Sequence, residues 1–121
     1  MQRFTELKVW QRSHALVLRI YRLTTDFPAE ERFGLSAQLR WAALSAATNI
    51  AEESKRHHPQ DYARFLNIAE GSLAKTEYLL IVSRDLSYTS ETIVRPLLEE
   101  IAELLRMLHT LRSKVTATPR C

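Results

Sequence analysis

Lys8, Arg12, Arg19 and Arg22 are the only formal charges between Leu7 and Thr25, and they follow one another at intervals of four, seven and three residues. On a helix turning ~100° per residue, those intervals collect all four within about 80° of one another. Arg3 extends the row, and Met1 to Phe27 holds five basic residues against two acidic ones. Such a line of guanidinium and ammonium groups can track a phosphate backbone without reading its bases. Lys55 and Arg56, followed by His57 and His58, form a second basic knot at a bundle end. No aromatic platform for base stacking interleaves these charges. The stripe can equally be a solvated face paired with carboxylates of neighbouring helices. A net charge of +3 and a pI near 9.3 are mildly basic and do not decide between the two.

Other site chemistries lack their residues. Two glycines, Gly34 and Gly71, cannot supply a phosphate-cradling loop or a dinucleotide fingerprint. No G-x-S-x-G is present, and Cys121, the one cysteine, is a poor nucleophile on a terminal segment. It also excludes an internal disulfide, which fits a reducing cytoplasm. A di-iron site in a helical bundle needs Glu-x-x-His pairs, and no glutamate here has a histidine three residues on. His57 and His58 are adjacent on a predicted loop, and adjacent side chains rarely converge on one metal. His14 is expected as a satisfied polar group of the helix 1 interior or interface, and His109 near the polar border of helix 4. The pairs Glu30-Glu31, Glu52-Glu53 and Glu99-Glu100 diverge on a helix. A non-enzymatic protein with no cofactor and no metal is the expectation.

The elements that must carry these charges are helices. A chain of 121 residues with 45% hydrophobic and 26% charged content fits one globular domain. No apolar run reaches the ~18 residues needed to span a bilayer, and MQRFTELKVW lacks the apolar core of a signal peptide. The pattern predicts helices over about 7–25, 36–56, 60–85 and 90–115, with 116–121 as a flexible tail. Asp26-Phe27-Pro28 stops the first, Ser36 is the expected N-cap of the second, and Pro59 suits the first turn of the third. Pro96 either kinks the fourth or marks its start. Short connections then give an all-α, antiparallel up-down-up-down four-helix bundle.

Helix 2 is built on Ala37, Ala42, Ala43, Ala46, Ala47 and Ala51, so neighbours can approach closely while other helices supply the bulk. Gly71-Ser72 in helix 3 is expected to approach that alanine face. Asn49 is expected beside the core stripe, and Arg40 and Glu77 are plausible cross-helix partners. Helix 4 keeps its apolar residues within about 140°, but helix 1 spreads them over about 220°. Helix 2 has a second apolar patch of Ala37, Trp41 and Leu44, and helix 3 adds Ile81 and Val82 away from its core stripe. This surplus implies a self-association surface at Leu18, Trp41, Leu44 and Ile81.

FTELKVWQRSHALVLRIYRLTTDFP, ERFGLSAQLRWAALSAATNIAE, FLNIAEGSLAKTEYLL and DLSY resemble one family over nearly the whole chain. These are the small bacterial four-helix-bundle proteins first noted as reading frames within intervening sequences of large-subunit ribosomal RNA genes. The resemblance implies a left-handed up-down bundle, a ring-like homopentamer and no catalytic activity. It also implies kinship with accessory proteins of diversity-generating retroelements, which engage RNA and a reverse transcriptase through basic surfaces. The family pattern SIP-x-NIAEG has Ala47 here for its proline and Glu53 for its glycine, which implies a straighter, longer helix 2. Its paired arginine is Arg40-Trp41, which subtracts a charge and adds an apolar contact, and Lys75 replaces its first acidic residue after GSL-x. The expected function is a cytoplasmic homo-oligomeric scaffold binding RNA, DNA or a ribonucleoprotein through the basic stripe. The alternative is a protein–protein assembly module with no nucleic-acid role.

Overall fold

Alanine combines the highest helix propensity with the least bulk, and the segment richest in it forms one unbroken helix over Leu35–Glu53. The computed structural model describes residues 3–53 and 59–117. Four α-helices carry them: α1 (Lys8–Thr25), α2 (Leu35–Glu53), α3 (Pro59–Asp85) and α4 (Glu91–Ala117). Single 3-10 turns at Phe4–Glu6 and Ala29–Glu31 precede α1 and α2, and no strand occurs among the described residues.

Each helix packs on its sequence neighbours, and α4 closes back on α1, while the diagonal pairs do not meet among the described residues. Cross-helix contacts fix the directions. Lys75 of α3 donates to Gln38 of α2 at 2.7 Å, and further along Ser72 donates to Ser45 at 2.9 Å. Arg84 reaches Glu91 across the α3–α4 turn, and Arg112 reaches Glu70 at the far end. Rising number on one helix meets falling number on the next, so the bundle runs up-down-up-down.

Ala42, Ala43, Ala46 and Ala47 are buried with Leu39 and Ile50 on the inner face of α2. The bulk opposite them comes from Leu16 and Ile20, from Leu66, Leu73 and Leu80, and from Val94, Ile101, Leu104 and Leu108, all essentially inaccessible. Small against large is how facing helices interdigitate at close range.

The ends of the helices depart from the sequence expectations in instructive ways. Ser36 is not the cap of α2; it is buried one position inside the helix. The cap comes from upstream, where Glu31 Oε1 accepts the Leu35 N–H at 3.1 Å and Gly34 O accepts the first intrahelical bond from Gln38. A Cβ on Gly34 would stand 2.8 Å from that same Oε1, so the missing side chain leaves room for the capping carboxylate. Helix α3 ends in a Schellman motif, with Tyr88 N–H bonded to Ser83 O and Ser87 N–H to Arg84 O. The residue usually glycine in this motif is Ser87, at φ 65°. Ser90 caps α4, its Oγ accepting from Ile93 N at 3.2 Å. Pro96 lies inside α4 and neither starts nor ends it. The acceptor its ring leaves unbonded belongs to exposed Thr92, where water can serve it. Thr116 and Ala117, assigned to a tail from sequence, continue α4.

Two interior expectations are corrected and a third, Asn49 beside the core stripe, holds. Gly71 faces open space, with nothing within 4 Å of an added Cβ, and only its neighbour Ser72 turns toward α2. Arg40 does not pair with Glu77. It donates to Thr24 Oγ1 at 2.7 Å and to Tyr21 O at 3.3 Å, with its guanidinium 4.7 Å over the Tyr21 ring. The α1–α2 side offers it a hydroxyl, a carbonyl and a π face together. Asn49 is half-buried and bonds within its own helix, to Ser45 O at 2.7 Å.

Candidate functional site

Helix α1 has one buried face and two separate exposed strips. Val9, Ser13, Leu16, Val17, Ile20 and Thr24 fill the interior. One strip, beside α4, carries Lys8, Arg12, Arg19 and Arg22; the other, beside α2, carries Trp10, His14, Leu18 and Tyr21. The helix can present both because its core stripe occupies only part of its circumference.

The basic strip is not uniform. Arg12 grips Glu100 of α4 with two hydrogen bonds, Nη2 to Oε1 at 2.6 Å and Nε to Oε2 at 3.0 Å, and its Nη1 lies 3.5 Å from Met107 Sδ. The Glu100 hydrogen bonds hold the Arg12 pKa above its ordinary value, against the opposing effect of lost hydration. Fork-on-carboxylate pairing makes this arginine a strut between α1 and α4. Lys8, Arg19 and Arg22 are exposed and form no ion pair with any described residue. Lys8 to Arg22 spans about 21 Å of helix, the axial rise of about six base-pair steps. Exposed Arg3 lies just before the first 3-10 turn. Lys55 and Arg56 lie outside the described residues.

The apolar strip of α1 and the neighbouring face of α2 enclose a groove of about 630 Å³. Phe4, Trp10, Leu18, Tyr21 and Leu44 wall it, and Ala47 lies at its base on α2. Trp10 anchors one end. Phe4 meets it edge-on with ring centroids 5.0 Å apart, and His14 stacks on it at 5.0 Å and 4°. His14 is exposed and lines this groove, which overturns the interior alternative of its expected placement and leaves the interface one. Leu18 and Leu44, predicted as interface from opposite helices, share the groove. Trp41, 68% exposed, lies outside it on the α3 side, beside Ala42, Ser45, Ser72 and Lys75. Ile81 is half-buried on α3, which α2 and α4 separate from α1. The four predicted interface residues thus divide into one pair in the groove and two on other faces.

Reading the sequence missed the role of Phe4 and Trp10 as an aromatic end wall, although the F-x5-W spacing was there to be seen. It also missed a second cleft of about 400 Å³, which Arg19, Arg22 and Asp26 of the first helix and its end share with Thr89, Ile93 and Leu97. That cleft depends on how α1 packs on α4, which no local pattern encodes.

No group of three or more His, Cys, Asp or Glu side chains able to hold a metal occurs among the described residues. No helix among them is long and apolar enough to cross a membrane.

The fold is shared with a solved protein of unknown function from the S23 ribosomal protein family of Bacteroides thetaiotaomicron. The two superpose with a TM-score of 0.78 at 22% identity, over 86% of this chain and 97% of that one. At that identity the likeness establishes the four-helix architecture. Among curated proteins, none matches this chain. The family model described as 23S rRNA-intervening sequence protein matches residues 5–110, spanning all the helices but the end of α4 and carrying the motifs quoted above. On that match, the chain belongs to the 23S rRNA-intervening sequence protein family.

Proposed function

We propose that the protein is a non-enzymatic cytoplasmic scaffold that self-associates through the α1–α2 groove and offers the basic edge of α1 to nucleic acid or a ribonucleoprotein. The observation that carries this reading is the separation of the two strips on α1. An apolar groove with Leu18 41% and Tyr21 36% exposed is a surface that association would cover. Lys8, Arg19 and Arg22 point away from it and stay available once it is covered. A closed ring of five subunits is the assembly that family resemblance favours, and repeating a three-charge edge around a ring multiplies a weak attraction.

Two measurements test this. Native mass spectrometry should give an oligomer, and Leu18→Glu with Tyr21→Glu, both in the groove, should leave a helical monomer. Leu44 is unsuited to this test because it is half-buried and packs on the core. A short single-stranded RNA should bind with a salt slope near −2 on a log–log scale per three phosphates engaged, about 20-fold weaker at 200 mM than at 50 mM salt. Lys8→Glu, Arg19→Glu and Arg22→Glu together should abolish that binding. A wild-type monomer at micromolar concentration refutes the scaffold, and salt-independent or absent binding refutes the nucleic-acid role. The Arg12–Glu100 pair favours a second reading, since the most enclosed cation of the stripe is already neutralised. Under it, the assembly module binds protein only.

A further inference from the structure

We propose that the cleft between α1, the α3–α4 connection and α4 is a mononucleotide site, seating the 5′-phosphate on Arg19 and Arg22 and the base on Ile93. This deepens the reading of the basic edge as phosphate-binding, and adds a small-ligand pocket that the edge alone would not have.

The walls of the cleft differ in kind. Arg19 and Arg22, three residues apart, stand on one helix face about 5–6 Å apart at their Cβ atoms. Neither pairs with a carboxylate among the described residues, so two guanidinium forks remain for an anion. Across from them α4 contributes an Ile93 that is 52% exposed, above a Leu97 that belongs to the core and is 3% exposed. Tyr88, which also borders the cleft, already donates its hydroxyl to Glu31 at 3.0 Å, leaving its ring for contact. Asp26 at the rim adds one acceptor. Thr89 lines the cleft with a shielded hydroxyl oxygen that has no hydrogen-bond partner among the described residues.

Ligand chemistry follows from that inventory. Inorganic phosphate would satisfy the arginines and leave the apolar wall wet. A long-chain acid would cover the wall but bring only a single negative charge to two guanidinium forks. A nucleoside monophosphate supplies all three parts: a dianion for the paired arginines, ribose hydroxyls to donate to Asp26, and a flat base for Ile93. A volume of about 400 Å³ lies within the usual range for small-molecule pockets. The phosphate has two sources, a free nucleotide or the phosphorylated 5′ end of a single strand, and both present the same group to the cleft.

Methyl-resolved NMR titration of the full chain with AMP, adenosine, inorganic phosphate, and an eight-nucleotide RNA with or without a 5′-phosphate tests this. AMP should shift the Ile93 and Leu97 methyls and bind at least about tenfold more tightly than adenosine or phosphate alone. Ile93→Gln, at an exposed position, should weaken AMP about fivefold and leave phosphate unchanged. Arg19→Gln with Arg22→Gln should remove AMP and phosphate binding while helicity and thermal midpoint stay constant. A stronger response to the phosphorylated RNA assigns the site to strand ends; an equal response assigns it to free nucleotides. Absence of AMP binding, AMP no tighter than phosphate, or binding indifferent to the arginine pair overturns the proposal. Lys8→Glu with Arg3→Glu should weaken RNA without touching AMP. RNA binding without AMP binding therefore sinks the pocket alone, and AMP binding without RNA binding sinks only the polymer role.

Discussion

The two glycines of the chain should respond to alanine with opposite signs, although both sit in or at a helix. Gly71 is an exposed interior residue of α3 with open space where a Cβ would go. Replacing it adds no contact and removes none, so the gain is the propensity difference, about 0.8–1 kcal/mol. Gly34 is the last residue before α2, and its Cβ would stand 2.8 Å from the Glu31 Oε1 that caps Leu35. The carboxylate must then swing away, and alanine is itself a poor N-cap, for a loss of about 1 kcal/mol. For a 121-residue chain the unfolding entropy is about 0.25 kcal/mol/K, so the two variants should melt about 8 °C apart, near 4 °C either side of wild type. Urea titrations with unchanged m-values, alongside calorimetry, give the free energies directly. If Gly34→Ala stabilises as much as Gly71→Ala, the Glu31 cap contributes nothing. If Gly71→Ala fails to stabilise, that face of α3 is not open in solution.

Ser87→Gly should stabilise by about 1 kcal/mol in the same assay, because Ser87 holds a left-handed φ of 65° that glycine adopts freely. Arg12→Gln should cost about 1 kcal/mol, and a double-mutant cycle with Glu100→Gln should recover most of it as coupling that shrinks in 1 M salt. Stability should also fall at both extremes of pH. Arg95 and Arg84 hold the Glu91 carboxyl below its usual pKa, and Arg106 does the same to Glu103. Their contribution is complete above an unfolded value near ~4.3 and drains away as pH falls through the lower folded value. The Tyr88 phenol is pushed up by its bond to Glu31, so its contribution is complete below about pH 10 and is lost as pH rises through the folded value. Urea midpoints against pH should show both limbs, and Tyr88→Phe should erase the alkaline one.

What could be read from the sequence follows the range of the interactions involved. Local patterns sufficed for the four helices and for the alanine wall, because helix propensity and a 3.6-residue period operate within a few turns. Partners were harder. Arg40 has Glu77 within plausible reach on paper, but Thr24 and Tyr21 offer a hydroxyl, a carbonyl and an aromatic face at one place. Ser36 is a better capping residue by type than Glu31, yet the turn at Ala29–Glu31 delivers the carboxylate first. Lys8, Arg12, Arg19 and Arg22 look equivalent on a helical projection. Only the position of α4 reveals that Arg12 is committed to Glu100 while Arg19 and Arg22 border a cleft.

The Arg12–Glu100 strut joins residues 88 apart in the chain, whereas every other pair of touching helices is consecutive in sequence. Closing a loop of that length costs roughly 4 kcal/mol of chain entropy, and little surface is shared across the seam to offset it early in folding. The hairpins of consecutive helices should therefore form first, and the α1–α4 seam should close last. In the native state the order reverses. The seam should open first, so amides of α1 and α4, the helices it joins, should exchange through a cheaper opening than those of α2 and α3. Since α1 carries both the basic edge and half of the apolar groove, the part of the protein best placed to meet partners also borders the one sparsely packed seam of the bundle.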